Sequence, residues 1–115
     1  MSSTNINIFN DRIYEFVDFL DTLTNDAYVK RKLQKYSSRL KLAECVDKSY
    51  ALNLFEENLY KYKDRIFNKD ATILHKFQEI LFENKIKISE MWKYLSEENK
   101  EIIWKYLKIF ILLCD

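Results

Sequence analysis

The sequence predicts an all-α protein, built as one compact bundle of five or six helices with a hydrophobic C-terminal helix at its centre. Its 115 residues include neither glycine nor proline, where about eight and six would be average. Without glycine, the left-handed conformations used in hairpin turns and bulges are costly. Apolar residues also recur at helical spacing through most of the chain. The length is typical of one domain, so residues 1–115 are predicted to form a single helical domain.

The first third of the chain predicts two helices of opposite charge. Residues 1–8 are expected to form a loosely ordered leader, and Asn10 is expected to cap the first helix. Four acidic residues occupy the outer face of this helix: Asp11, Glu15, Asp18 and Asp21. The second helix is expected to start at Asn25-Asp26. It covers residues 28–41 and is basic, with no acidic residue between 27 and 43.

The middle of the chain predicts two more helices. Asp47 is expected to cap a third helix that keeps its apolar spacing as far as Ile66. Asn68 is predicted to adopt the left-handed conformation that ends it, in the place of a glycine. Asp70 is expected to cap a fourth helix that ends at Asn84.

The C-terminal part predicts an extended connector at 85–88, a short helix at 90–95 capped by Ser89, and a last helix at 97–113 capped by Ser96. The apolar side chains of the last helix sweep an arc of roughly 220° at 100° per residue, whereas packing on one side of a core needs about 100°. This helix is therefore expected to be covered on most sides, by its own chain or by a partner. Its continuous hydrophobicity extends over about 13 residues, short of the roughly 20 that span a bilayer, so no membrane association is expected.

Residue types that support catalysis are scarce. The single histidine, His75, is predicted to be a surface or partly buried helix residue, and a chain without glycine has no glycine-rich phosphate-binding loop. The two cysteines, Cys45 and Cys114, lie in a chain with no signal-peptide pattern, so free thiols in a reducing intracellular compartment are expected, with a disulfide as the less favoured alternative. The sequence predicts a protein that is not an enzyme and has no cofactor, no metal site and no small-molecule substrate.

Large apolar residues of the C-terminal region are candidates for a protein interface. Tryptophan is favoured at binding hot spots, and a chain this small would gain by sharing its last helix with a second copy. The predicted interface residues are Trp92, Trp104, Leu107, Phe110 and Ile111. The alternative is that these side chains fill the core of a small helical domain. The partner is predicted to be a second copy of the chain or another protein.

The basic second helix supports an alternative function, nucleic-acid binding or a role in genome packaging. Its cations are Lys30, Arg31, Lys32, Lys35, Arg39 and Lys41. These side chains could contact phosphates while Tyr28 and Tyr36 stack on bases. Against this, the cations spread around the helix, and the acidic first helix could neutralise them. The net charge of +1 favours neither kind of partner.

The C-terminal segment resembles small uncharacterised helical proteins of large nucleo-cytoplasmic, or giant, DNA viruses. The residues that carry the resemblance are Trp92, Leu95, Ser96, Asn99, Lys100, Ile103, Trp104, Tyr106 and Leu107. A similar segment at 66–70 extends the likeness to about the last 50 residues. The resemblance implies an AT-rich viral source, a location in the host cytoplasm or the virion, and a helical fold, but no activity. The sequence thus predicts a non-enzymatic viral interaction or structural protein that self-associates through its C-terminal helix.

Overall fold

The computed structural model describes the backbone of residues 3–115 and the side chains of residues 5–115. Within these residues it is all-helical, with no strand, and compact. The seven α-helices are α1 (Ser3–Thr22), α2 (Ala27–Val46), α3 (Tyr50–Asn58), α4 (Lys63–Phe67), α5 (Ile73–Phe82), α6 (Ile88–Met91) and α7 (Glu97–Cys114). Short 3₁₀ turns follow α3, at Tyr60–Tyr62, and α6, at Trp92–Tyr94.

The structure has seven helices rather than the predicted five or six because the predicted third helix is interrupted. The side-chain amide of Asn58 donates a hydrogen bond to the Leu54 carbonyl at 2.9 Å. The chain then tightens into a 3₁₀ turn, in which the Tyr62 N–H bonds to the Leu59 carbonyl at 2.9 Å. Helix α4 is therefore a separate five-residue helix.

Helix α1 starts earlier than predicted. It begins at Ser3, so residues 3–8 are helical rather than a loose leader, and the remaining two leader residues lie outside the described part. Asn10 is a buried residue inside α1, not its cap, and its side chain donates a hydrogen bond to the Lys48 carbonyl at 2.9 Å. The buried Phe9 ring contacts Phe55 and Phe110. These contacts hold this turn of the helix on the core, so the helix continues towards the N-terminus.

The predicted cap at Ser96 and the predicted start of the second helix at Asn25-Asp26 are confirmed. Asp26 Oδ1 accepts a hydrogen bond from the Tyr28 N–H at 2.9 Å at the start of α2. Ser96 Oγ accepts one from the Asn99 N–H at 3.1 Å at the start of α7. Both cap residues have the extended backbone that is usual at this position.

Asp47 and Asp70 are not the caps of the third and fourth predicted helices but lie two residues before the N-cap positions. Asp47 and Asp70 accept hydrogen bonds from the N–H and hydroxyl groups of Ser49 and Thr72, which are the N-cap residues of α3 and α5. An aspartate that bonds to the backbone two residues ahead forms a turn. These two turns lead the chain into the helices, which start two residues later than they would if the aspartates were the caps.

Ser89 does not cap the short helix as predicted, because α6 already begins at Ile88. The N–H and hydroxyl groups of Ser89 instead donate to Oε1 of the buried Gln78 on α5, at 3.0 and 2.9 Å. Ile86 and Ile88 of the connector are buried. The segment after α5 is thus attached to that helix by both apolar and polar contacts.

Helix α7 packs against α1, α3 and α4. Its Phe110 ring lies 5.1 to 5.8 Å, between centroids, from the rings of Phe9, Phe16 and Phe55. The buried residues of α7 cover an arc of roughly 120°; they are Ile103, Trp104, Leu107, Phe110 and Ile111. The rest of the predicted 220° is less well covered, because Ile102, Tyr106, Ile109 and Leu113 are partly exposed. Leu112, which lies outside that arc, is 58% exposed. In the described part of the chain, no helix combines the length and apolar character needed to cross a bilayer.

Candidate functional site

An open groove of about 370 Å³ lies between α2, α3, the end of α5 and the segment after it. Its floor is made by buried or partly buried residues: Tyr36, Leu40, Leu54, Ile80, Leu81, Phe82 and Ile86. Its rim is made by charged residues: Lys32, Lys35, Arg39, Glu83 and Lys85. We call this site the basic groove.

Helical spacing places three cations of α2 on the groove side. Lys32, Lys35 and Arg39 are separated by three and four residues, so they lie on one face of the helix. Leu33 and Leu40 are buried and hold α2 on the core. The side of α2 that carries the three cations therefore lies next to an apolar floor.

The other predicted nucleic-acid residues of α2 lie outside the groove. Lys30 donates to the Asp21 carbonyl at 2.7 Å and to the Asp21 carboxylate at 3.2 Å, so it is paired with α1. Lys41 Nζ lies 5.5 Å from the ring centre of Tyr14, also on α1. Arg31 is exposed and does not line the groove. The predicted neutralisation by the acidic first helix thus applies to Lys30 but not to the cations on the groove side.

Most of the positive charge at the rim has no acidic partner in the described part of the chain. Lys32, Lys35 and Arg39 form no ion pair there, although Lys32 Nζ lies over the Tyr28 ring, 4.7 Å from its centre. Lys85 is paired with Glu83 at 3.3 Å. Since opposite charges at this pair cancel, the three α2 cations give the rim its net positive charge.

Tyr36 is part of the groove floor and does not offer its ring to a nucleic-acid base. Its ring meets Phe82 edge to face, with centroids 4.7 Å apart. Burial, and then the nearby Tyr50 and Glu83, raise the pKa of the Tyr36 hydroxyl above its ordinary value. The predicted stacking is therefore left to Tyr28, which is 58% exposed but is covered on one face by Lys32.

Three residues that line the groove were not predicted from the sequence: Tyr50, Glu83 and Lys85. Glu83 and Asn84 both have left-handed backbone, and the Asn84 N–H bonds to the Gln78 carbonyl at 3.0 Å. These two residues turn the chain back along the end of α5 and bring Lys85 to the rim. Of these three, only Lys85 has a signal in the sequence. Lysine and isoleucine alternate at 85–88, so Lys85 is exposed when Ile86 is buried.

The residues predicted to form a protein interface are mostly core residues. Trp104, Leu107, Phe110 and Ile111 are buried under neighbouring helices, so in this fold they offer no surface to a partner. Trp92 is partly exposed, packs edge to face on Trp104 with centroids 5.4 Å apart, and has Lys100 Nζ 5.5 Å from its ring centre. The alternative that these side chains fill the core is the one that the structure favours.

A second cavity, of about 250 Å³, lies between α1 and α2 and carries charges of both signs. Its charged residues are Asp18, Asp21 and Lys41. Lys30 is already bound to Asp21, as described above, and the remaining charges oppose each other. This cavity lacks the net positive charge of the basic groove, and only Val17 and Leu33 are apolar among the residues that line it.

Groups with catalytic potential are separate in the described part of the chain. No cluster of three or more histidine, cysteine or acidic residues there is arranged to hold a metal ion. His75 is exposed, Cys45 is exposed, and Cys114 is partly buried; both cysteines are free. Burial, together with Glu56 and Asp115, raises the pKa of the Cys114 thiol to about 12.

No protein-family model, curated protein or solved structure matches this chain. The resemblance of the C-terminal segment to proteins of giant DNA viruses stays a prediction. The function is therefore inferred from the residues of the basic groove.

Proposed function

We propose that the protein is a non-enzymatic binding protein that acts through protein–protein contacts, and that the basic groove is its binding surface. The supporting observation is the placement, beside an apolar floor, of three cations that form no ion pair with any residue the structure describes. Buried apolar surface stabilises a complex, while complementary charge selects the partner and speeds its association. A protein segment that carries both acidic and apolar side chains would match both parts of the groove.

Self-association and a viral setting are part of this proposal. The C-terminal resemblance implies a protein of the host cytoplasm or the virion, where a small binding or structural protein would act. Self-association through Trp104, Leu107 and Phe110 would require the core to open, because these side chains are buried. The proposal therefore assigns self-association to exposed surface rather than to the buried face of α7.

A charge-reversal experiment tests the groove as the binding surface. The variant Lys35→Glu/Arg39→Glu reverses two rim charges, and Lys105→Glu/Lys108→Glu on α7 makes the same change of charge away from the groove. Each tagged protein is used to capture proteins from host or infected-cell lysate, followed by quantitative mass spectrometry. We expect the wild type and the α7 variant to capture a common partner in similar amounts. The amount of this partner captured by the groove variant should be lower by about tenfold or more. Identical captured proteins for all three would contradict the proposal.

Nucleic-acid binding is the second candidate, because Lys32, Lys35 and Arg39 lie on one face without acidic partners in the described part of the chain. Three or four phosphate contacts would make the logarithm of the binding constant fall with the logarithm of salt concentration, with a slope of about −2 to −4. Fluorescence anisotropy with labelled single-stranded and duplex oligonucleotides measures this slope. Binding that shows it and that Lys35→Glu abolishes would favour this candidate over a protein partner.

A further inference from the structure

The exposed face of α1 carries a charge pattern opposite to that of the groove. Asp11, Glu15 and Asp18 are exposed and separated by four and three residues, which places them on one helical face. Glu15 is paired with Arg12 on the same helix. Asp11 and Asp18 form no ion pair in the described part of the chain. We call these three residues the acidic face.

The acidic face and the groove cations have matching lengths. Residues 11–18 and residues 32–39 each span seven steps of an α-helix, or about 10.5 Å along the axis. When the two helices are placed antiparallel, Glu15 and Lys35 also lie opposite each other. Glu15 is three residues before Asp18, and Lys35 is three residues after Lys32. This register pairs Asp18 with Lys32, Glu15 with Lys35, and Asp11 with Arg39.

The same register continues into exposed apolar residues. One turn before Asp11, Ile8 is 36% exposed, and in the antiparallel register it lies opposite Leu42, which is 69% exposed. Val46, one turn beyond Leu42, is 91% exposed. Exposed apolar patches that are rimmed by polar residues mark sites of protein–protein contact. An apolar contact at one end would fix the direction and the register of the helix pair.

The two surfaces cannot meet within one molecule. Lys30 and Lys41 contact α1 through Asp21 and Tyr14, so α1 lies on their side of α2. The groove lies on the opposite side of α2, between that helix, α3 and α5. A contact between the acidic face and the groove therefore joins two copies of the chain through different surfaces, which produces an open chain of molecules or a closed ring.

We infer that a second copy of this chain docks the acidic face of its α1 on the basic groove, with α1 antiparallel to α2. This inference rests on the proposed function, because it names the partner of the groove. It assigns self-association to α1 and α2, and leaves the buried face of α7 in the core of each copy.

A charge swap tests the register directly. Asp11 and Arg39 are both exposed and have no ion pair in the described part of the chain, so reversing either charge should leave the fold intact. Sedimentation equilibrium at low salt is measured for wild type, Asp11→Lys, Arg39→Glu and the combined variant. We expect the wild type to associate, each single variant to associate about tenfold more weakly, and the combined variant to recover the wild-type constant to within about threefold. Arg31→Glu is the matched control, because it makes the same change on α2 outside the groove, and it should associate like the wild type.

Several outcomes would overturn the inference. A wild type that stays monomeric at all concentrations, single variants that associate normally, or a combined variant that fails to recover would each do so. Association that disappears on nuclease treatment would show that nucleic acid joins the copies. Circular dichroism checks the fold of each variant, and Lys35→Glu provides a second groove variant if one of them unfolds. If the wild type is monomeric but the groove variant still loses a captured partner, the inference fails and the proposed function stands.

Discussion

Lys69, Glu83 and Asn84 hold left-handed backbone in a chain without glycine, with φ angles of 56°, 51° and 60°. For a residue with a Cβ this conformation costs about 1–2 kcal/mol, and less for asparagine. Glu83 is the most informative of the three, because it ends α5 at the rim of the groove. The strained backbone of Glu83 lies where the chain turns towards Lys85.

Replacing Glu83 with glycine is expected to stabilise the protein. Glycine adopts this φ without strain, which stabilises the folded state, but it also adds conformational entropy to the unfolded chain. The net increase in the free energy of unfolding should be about 0.5–1 kcal/mol. The exposed ion pair with Lys85 is lost but contributes little. Urea unfolding measures the change. Glu79→Gly, at an exposed position inside α5, is the matched control and should lower the free energy of unfolding by about 1 kcal/mol. The same loss in both variants would contradict the strain argument.

Tyr36 is expected to make stability fall at alkaline pH. Its pKa is raised above 10.0, mainly by burial, so the folded protein keeps the phenol proton at a pH where the unfolded chain releases it. Above about pH 10 the unfolded state then binds fewer protons, and the free energy of unfolding decreases as pH rises. Tyr36→Phe should reduce this decrease, as measured by urea unfolding at a series of pH values. Tyr28→Phe, which removes the hydroxyl of an exposed tyrosine on the same helix, is the control for the substitution itself.

At the level of single elements, periodicity predicted where helices form, and local hydrogen bonds decided where they end. The caps at Asp26 and Ser96 were predictable because their partners lie two or three residues away. The start of α1 at Ser3 was not, because Phe9 is held by rings from α3 and α7. The role of Ser89 likewise depends on a glutamine 11 residues away.

The contact between Gln78 and Ser89 is expected to hold the connector at 85–88 in place. In Gln78→Leu the N–H and hydroxyl groups of Ser89 lose their acceptor, which should lower the free energy of unfolding by about 1–3 kcal/mol. Hydrogen exchange should show faster exchange of the Ser89 amide in particular. Gln34→Leu changes an exposed glutamine of α2 and should alter stability by no more than about 0.5 kcal/mol. Unchanged exchange at Ser89 would show that the hydrogen bonds contribute little.

At the level of the whole molecule, the groove could be predicted only in part. The basic character of α2 is evident in the sequence, but which cations reach the groove depends on the side on which α1 packs. Tyr50 and Lys85 come from other segments and have no relation to α2 in the sequence. The burial of Trp104 and Phe110 by the chain's own helices could not be predicted for a related reason: the apolar arc of one helix does not show how much of it neighbouring helices cover.

The effect of salt on self-association should distinguish the two surfaces that have been considered for it. A contact between the acidic face and the groove depends on exposed charges, which are screened as the Debye length falls from about 10 Å at 0.1 M to about 3 Å at 1 M salt. Its association constant should fall about tenfold or more over that range in sodium chloride. Packing through the partly exposed apolar residues of α7, Ile102, Ile109 and Leu113, would respond in the opposite direction, because sulfate strengthens apolar burial. Sedimentation equilibrium in both salts measures these changes, with Arg31→Glu as the control for net charge. Association that sulfate strengthens and sodium chloride does not weaken would assign the contact to α7, because screening acts on the charged pair and leaves apolar burial unaffected.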